Sequence, residues 1–409
     1  DTYEIGTTTA DVYCYFYELS FNLLKERGVL SFITSNKWMR AKYGALLRLF
    51  VKEKTTILTL IDLGGGQFDM ATVDTNVLIF SRKKPDEFYV FKYGNLIPKK
   101  ESDLTNMNQN DLGNNSFTLM NNSEISLKNK ISNIGTCLDQ WGDININYGI
   151  LTGKNEVKIN NKKEGVFIIN EDKRNELIEQ DMSSKKILLP ILLGKNIFRY
   201  GHFWDKKYLV AVNYNMHNKI NNYPSIKVHL LKYEAILKQK SQVKRGDHHW
   251  IELDQNPSNR YIEEFKKDKI VWGNISAESE FCFNKGMAIN APANFITSDK
   301  VNLKYVLAVM NSKVFFWEFK LSGITLGEAF EWKIQYVRNI HVPKISSEQQ
   351  KPFIKTVNQI LKITTTENYD PKNPPIKQKE LEKQIDEMVY KLYGLTEEEI
   401  KIVEDSNKK

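Results

Sequence analysis

Ile57 to Lys84 reads ILTLIDLGGGQFDMATVDTNVLIFSRKK, and everything else in the chain is placed by how this stretch folds. It opens on an apolar run, Ile57, Leu58, Leu60 and Ile61, with Thr59 inside it. Short β-rich runs that end in glycine read as buried strands. Gly64, Gly65 and Gly66 follow, and consecutive glycines admit backbone conformations closed to other residues. Phe68 then stands in a polar-flanked turn, and a second strand, Thr75 to Ser81, is closed by Arg82-Lys83-Lys84. An aromatic ring at that place is either core or a stacking platform.

Asp62-Leu63-Gly64-Gly65-Gly66 has the look of a glycine-rich turn that holds a nucleotide cofactor. Such a turn must open a helix, whose N-terminus and close backbone approach serve the ligand. Gln67 to Thr75 runs into a strand instead, so the stretch predicts strand, turn, strand. Upstream, Val12, Phe16, Leu19, Leu23 and Leu24 recur at helical spacing between Ala10 and Arg27, and Gly28 stops that helix. Val29 to Thr34 predicts a strand, and Tyr43 to Lys54 a second helix. Helix, strand, helix, strand and hairpin strand make half of an α/β sheet.

A chain of 409 residues can hold two or three cores. Its net charge of +8 suits an anionic partner. Cys14, Cys137 and Cys282 lie far apart without metal-ligand spacing, which predicts a reduced, cytoplasmic protein with no metal. His248 and His249 are adjacent, and on a strand they point to opposite faces. No apolar run reaches membrane-spanning length. The chain starts at Asp1, without methionine and mid-pattern, which predicts a fragment. Glu87 to Met120 is rich in Asn, Ser and Lys and predicts a weakly structured crossing.

Residues 11–50, DVYCYFYELSFNLLKERGVLSFITSNKWMRAKYGALLRLF, and the xFxxAxVxTxVLxF pattern at 67–80 resemble the N6-adenine DNA methyltransferases, including those of type IIG restriction–modification enzymes. The resemblance implies that Phe68 stacks on an adenine flipped out of the duplex. It also implies S-adenosyl-L-methionine as methyl donor in the parent enzyme. The catalytic Asn-Pro-Pro-Tyr and the cofactor turn are expected upstream of Asp1, so no cofactor is expected on this fragment. Asn373-Pro374-Pro375-Ile376 precedes a charged helix and reads as a linker. In the family fold, Thr75 to Ser81 lies between Val29–Thr34 and Ile57–Leu63. The far side of Val29–Thr34 is then an open edge, through which self-association is expected.

Farther on, Trp141-Gly142, Tyr148 to Asn155 and Phe167 to Ile169 resemble the start of a type IIG target-recognition region. Thr152, Lys154 and Asn155 are candidate phosphate donors; the same residues also suit an ordinary glycine turn. Ile187 to Tyr200, ILLPILLGKNIFRY, resembles the TaqI-like C-terminal specificity domain. There Lys195, Asn196, Arg199 and Tyr200 are candidate DNA contacts, since Arg and Asn can bind guanine and adenine edges bidentately. A salt-bridged, structural Arg199 is the other reading. Trp250, Lys269 to Trp272, Ala288 to Phe295 and Arg338 to Pro343 continue the resemblance. Leu231 to Arg245 predicts a lysine-rich helix, either a solvated face or a phosphate-contacting one. Leu307 to Leu321 predicts one helix, and Gly323 to Trp332 a mobile turn facing DNA. Ser347 to Ile363 and Lys377 to Tyr393 predict two more helices.

The fold expected is thus α/β, a partial Rossmann-like methyltransferase sheet over residues 1–90. An α+β DNA target-recognition domain follows over 91–345, with an Asn-rich insertion at about 100–125. A helical segment closes the chain over 346–409. The function expected is recognition of double-stranded DNA and binding of the target adenine in a restriction–modification methyltransferase, fused to an endonuclease in some parents. The rivals are a stand-alone DNA-binding specificity subunit and a small-molecule Rossmann enzyme built on the Asp62 turn.

Overall fold

The computed structural model describes residues 3–7, 9–64, 67–68, 73–95, 97–114, 116–159, 162–255 and 257–407. Its first unit holds helix α1 (Val12–Leu23), strand β1 (Val29–Ser35), helix α2 (Ala45–Lys54), and strands β2 (Thr56–Gly64), β3 (Thr75–Ser81), β4 (Val90–Gly94) and β5 (Thr105–Asn108). The sheet order is β1-β3-β2-β4-β5. β3 runs antiparallel to both β1 and β2, and β4 runs parallel to β2. So β1, β2 and β4 all end on the same edge of the sheet. β3 lies between β1 and β2, as expected, and β1 and β5 are the edge strands of this sheet among the described residues.

Two expectations fail here. The segment from Glu87 to Met120 is not a loose crossing: β4 and β5 extend the sheet, with Phe91 paired to Met107. Phe91, Tyr93, Met107, Leu112 and Phe117 join the first core. Gln109, buried, accepts from the Ile57 amide at 3.0 Å and donates to the Lys52 and Thr55 carbonyls at 2.9 and 2.7 Å. Those bonds stitch the segment onto the α2–β2 connection. The second failure is the α1 stripe. Cys14, Tyr17 and Glu18 face the core, whereas Val12, Phe16, Leu19 and Leu23 are 64, 51, 40 and 77% exposed.

The second half is organised on a four-stranded antiparallel sheet, Asn145–Tyr148, Asn294–Thr297, Asp268–Trp272 and Phe281–Lys285. Side chains along a strand alternate between faces, and here both faces are covered. Ile270, Trp272, Phe281 and Ile296 enter one core; Val271, Cys282 and Phe295 enter another. A second sheet, of Ile168–Ile169, Tyr208–Val210, Leu188–Leu192 and Ala288–Ile289, belongs to the latter core. Helices Leu303–Met310, Lys313–Lys320, Ser347–Thr364, Ile376–Leu392 and Glu397–Ser406 build the former. The helices after Pro343 are therefore packed into the second half and share its core.

Three local expectations are corrected. Leu307 to Leu321 is two helices, because Asn311 turns its side chain on the Phe281 backbone (3.1 and 2.9 Å) and Ser312 caps the second helix. Leu231 to Arg245 forms two short helices, Glu234–Leu237 and Ser241–Arg245. Within it Lys240 is buried, 3.1 Å from Asp254. Gly323 to Trp332 is an anchored hairpin, with Ile324–Leu326 paired to Ala329–Glu331. Trp332 stacks on Phe319 at 3.8 Å between ring centres and packs beside Phe316 and Phe281.

Candidate functional site

In open α/β sheets, ligands lie outside the carboxyl ends of parallel strands. The shared edge of β1, β2 and β4 carries Asn36, Arg40, Asp62 and Gly64, and Lys320 and Thr325 of the second half face them across a crevice of about 310 Å³. Asp62 organises this rim. Its carboxylate accepts from Asn36 Nδ2 at 2.7 Å, from Arg40 Nη2 at 3.0 Å and from the Gly64 amide at 3.4 Å. Gly64 sits at φ +63°, in the left-handed region that suits a residue without a Cβ. Arg40 Nε is buried without a partner among the described residues, so the crevice wall holds one unused donor.

Phe68 follows, 49% exposed. Its neighbours 65–66 and 69–72, with Ala71 of the family pattern, lie outside the described residues. Asp74, buried just before β3, accepts a hydrogen bond from the Thr325 hydroxyl. That bond ties the connection carrying Phe68 to the hairpin. Thr118 donates to the Leu321 carbonyl at 2.7 Å nearby. Burial pushes the Lys320 ammonium down to about 8; it donates to Asn407 Oδ1 at 3.0 Å and lies over the Phe316 ring. Sequence reasoning singled out neither Asp74 nor Thr325, and it weighed Asp62 only as part of a cofactor turn.

The expected DNA contacts divide. Lys154 is exposed, on a turn fixed by its neighbours. Gly153 has φ +68°, and a Cβ there would run into the Asp254 carboxylate. Thr152 is buried, and Asn155 accepts from the Phe167 and Ile168 amides at 3.0 and 2.7 Å, so both serve the turn itself. Lys195 is exposed, 3.5 Å from Asp205. The structure brings this turn near the first one, because Ile150 and Leu192 both bond the same Ile289–Ala291 segment. Arg199 and Tyr200 are held inside the fold. Arg199 pairs with Glu382 at 2.7 Å and donates to the Ser279 (3.0 Å) and Asn311 carbonyls. Tyr200 is fully buried, with its carbonyl accepting from Thr364 at 3.0 Å. Three of the five guanidinium N–H donors, one on each nitrogen, are thus spent inside the fold.

A larger cleft, about 1020 Å³, lies between the Lys313–Lys320 and Ile376–Leu392 helices, with Arg199, Glu382 and Asp386 in its lining. Burial pushes the Asp386 carboxyl up to about 6; its hydrogen bond from the Lys313 amide (2.9 Å), and Arg199, act in the opposite sense. Among the described residues, no group of His, Cys, Asp and Glu could hold a metal ion. His249 instead stacks on His217 at 4.8 Å, and His248 lies 3.7 Å from Asp254. No helix of the described residues is long and apolar enough to cross a membrane.

Comparisons with known proteins fall on the same two regions. Residues 1–68 match the Eco57I restriction-modification methylase family, and residues 189–342 match the TaqI-like C-terminal specificity domain. The type II methyltransferase M.BstVI of Geobacillus stearothermophilus is 20% identical over 440 residues, covering 97% of this chain and 69% of that protein. The type II methyltransferase M.XhoI of Xanthomonas vasicola is 35% identical over 78 residues, 19% of this chain and 14% of that protein. Among solved structures, the type IIL restriction-modification enzyme MmeI, in complex with DNA, aligns with a TM-score of 0.65 at 12% identity. That alignment covers 97% of this chain and 52% of the enzyme, so the chain spans about half its length.

Two measurements check this geometry. Arg199→Ala should lower the stability of the chain by about 2–3 kcal/mol in urea unfolding, through loss of charge-assisted hydrogen bonds. It should leave the base preference of any bound DNA unchanged; a change of preference with intact stability would restore Arg199 as a reader. For Asp386, the folded-state pKa lies above the unfolded value of 3.8. Its contribution is then fully present below about pH 4 and is lost as pH rises through 6. Asp386→Asn keeps an acceptor for the Lys313 amide. It should therefore stabilise the chain at pH 7.5 by roughly 2 kcal/mol and make little difference at pH 4. Equal effects at the two pH values would refute the assignment.

Proposed function

We propose that this chain recognises double-stranded DNA and holds the target adenine for N6 methylation in a restriction–modification methyltransferase. The matches to a methylase family at one end and to a specificity domain farther on support the pairing of these two tasks. The observation that carries the reading is the crevice itself. The strand-end rim of the first sheet, with exposed Phe68 four residues beyond Gly64 in the chain, faces the hairpin of the specificity half, and Thr325 bonds Asp74 across the gap. An extruded base lying there has the Phe68 ring to stack on. The Lys154 and Lys195 turns, on the second half, supply phosphate contacts. In this division the base-binding unit runs to about Met120, where its core ends. The recognition unit takes the remainder, including the closing helices.

S-adenosylmethionine is the methyl donor of the family. Asp62 does not fit it as a ribose partner: Asn36, Arg40 and the Gly64 amide already bond both carboxylate oxygens. A strand rather than a helix N-terminus follows the turn. The cytoplasm is the compartment in which such a protein meets its DNA.

Fluorescence anisotropy with duplex DNA tests the reading. Binding should weaken steeply with salt, and Lys154→Ala should lower the slope of log affinity against log salt by about 0.9 while affecting all sequences alike. A preferred sequence can be selected from a random pool. On it, Phe68→Ala should cost about 1–3 kcal/mol, and on random duplex nothing. An equal effect on both would favour a stand-alone specificity subunit that captures no base.

We further propose that the open edge of β1 pairs with a second copy of this chain. Val29 and Ile33 are 54 and 51% exposed on that strand, and the exposed α1 stripe lies beside it. Phe32 packs edge-on against Tyr17 at 5.4 Å, so a charge there would damage the core as well as the edge. Ile33→Lys is the cleaner variant. Sedimentation at high micromolar concentration should show dimers for the unmodified chain and monomers for Ile33→Lys; monomers for both would remove the proposal.

A further inference from the structure

The 1020 Å³ cleft beside the Ile376–Leu392 helix holds polar groups that the fold leaves unsatisfied. Gln378, Glu382 and Asp386 stand at every fourth residue of that helix, so they share a face, and all three line the cleft. Gln378 Nε2 donates to Glu382 Oε1 at 2.8 Å, and Arg199 Nε donates to Glu382 Oε2 at 2.7 Å. The first of these bonds fixes which way the Gln378 amide faces. Its oxygen is then an acceptor, buried and without a partner among the described residues. The Ser279 hydroxyl, also in the lining, is buried and unpartnered in the same sense, while the Ser279 carbonyl takes Arg199 Nη1. Two of the five guanidinium N–H groups of Arg199 stay unspent. Buried polar atoms without partners are costly, and few are kept without a use.

We infer that this cleft binds a nucleotide whose base carries an exocyclic amino group next to a ring nitrogen, as cytosine and adenine do. The amino N–H donates to Gln378 Oε1, and the ring nitrogen accepts from the Ser279 hydroxyl or from a spare Arg199 N–H. A base with a carbonyl in place of the amino group sets two oxygens against each other, because Glu382 holds the Gln378 amide in one orientation. Phe198 and Tyr369, stacked with ring centres 5.3 Å apart, also line the cleft and give a flat base an apolar wall. Lys372 and Lys379 line it too and are exposed, so the phosphate of a seated nucleotide meets them while it stays partly in water. A simple organic cation would satisfy Gln378 but would be repelled by those lysines. The site is separate from the crevice proposed for the target adenine, although Lys320 and Ser406 line both cavities.

The test is calorimetric titration of the chain with CMP, UMP and cytidine. CMP and UMP differ only along the base edge that meets Gln378. CMP should fill one site per chain and bind about tenfold more tightly than UMP, because the wrong edge leaves buried polar groups unpaired. Gln378→Met removes the acceptor and should bring CMP down to the level of UMP. Should that variant unfold, Lys379→Ala carries the test: it should weaken CMP severalfold and leave cytidine unchanged. Phe68→Ala should leave CMP binding as it was, which separates this cleft from the crevice. The nucleotide may be free or part of a single strand, and a short oligodeoxycytidine distinguishes the two: displacement of CMP by it marks a strand, and no displacement marks the free nucleotide. Absence of saturable CMP binding overturns the site. So does equal binding of CMP and UMP, or loss of binding with Phe68→Ala but not with Gln378→Met. None of these outcomes touches the reading of duplex binding.

Discussion

The strand Asp268–Trp272 is buried on both sides, and the second half of the molecule depends on that one wall. Its neighbours in the sheet are Phe281–Lys285 and Asn294–Thr297. Alternate residues of all three strands feed two cores that meet nowhere else in this sheet, Trp272 and Phe281 to one side, Val271 and Phe295 to the other. A strand in that position must be apolar at every residue, unlike one with a solvated face. Asp268, at the exposed start of the strand, and Lys269 are the exceptions, and the buried Lys269 ammonium is spent on the Phe265 and Lys267 carbonyls at 2.8 Å each. Burial draws that ammonium down to about 8. The turns with Lys154 and Lys195 grow from one side of this wall, and the clamped hairpin from the other.

The relation between the halves follows from few contacts of high quality. Thr325 with Asp74 and Thr118 with Leu321 fix the hairpin over the rim. Each is a single hydrogen bond, worth about 1 kcal/mol net, yet both lie where water is largely excluded. Asp62 and Arg40 complete the rim as a partly buried pair, 12 and 17% exposed in their side chains. An ion pair that shares its carboxylate with an amide and a side-chain NH₂ orients more than it stabilises.

The sequence was legible where local chemistry and fold agree. The apolar run before Gly64 and its hairpin partner from Thr75 needed only periodicity and a turn; the register between them, shifted at Ile57/Thr59 and Asp62/Gly64, did not follow from either. Asn, Ser and Lys hid β4 and β5, because composition reports the solvent side of an edge strand, and only Phe91, Tyr93 and Met107 face inward. The stripe at Val12, Phe16, Leu19 and Leu23 showed the helix but not its buried side, since an apolar stripe records contact without saying with what. The partner of Arg199 was hidden for a different reason. Glu382 is 183 residues away, and nothing local announces an ion pair of that span. The break at Asn311–Ser312 is of the same kind, set by the Phe281 backbone across the core.

Those long spans have a consequence for how the chain is made. Synthesis delivers residues in order, and domains fold as their parts emerge. The first core closes at Phe117, before any of the wall has been made. The wall around Trp272, by contrast, stays bare on one side until Tyr393 reaches the His341 carbonyl, Glu399 meets Lys130 and Val403 packs. Until then the nascent chain carries a finished sheet tethered to an unfinished one, with aromatic surface open to chaperones and proteases. A late frameshift or stop would leave the lysine turns on a support that never closes, and quality control would then decide the fate of the product.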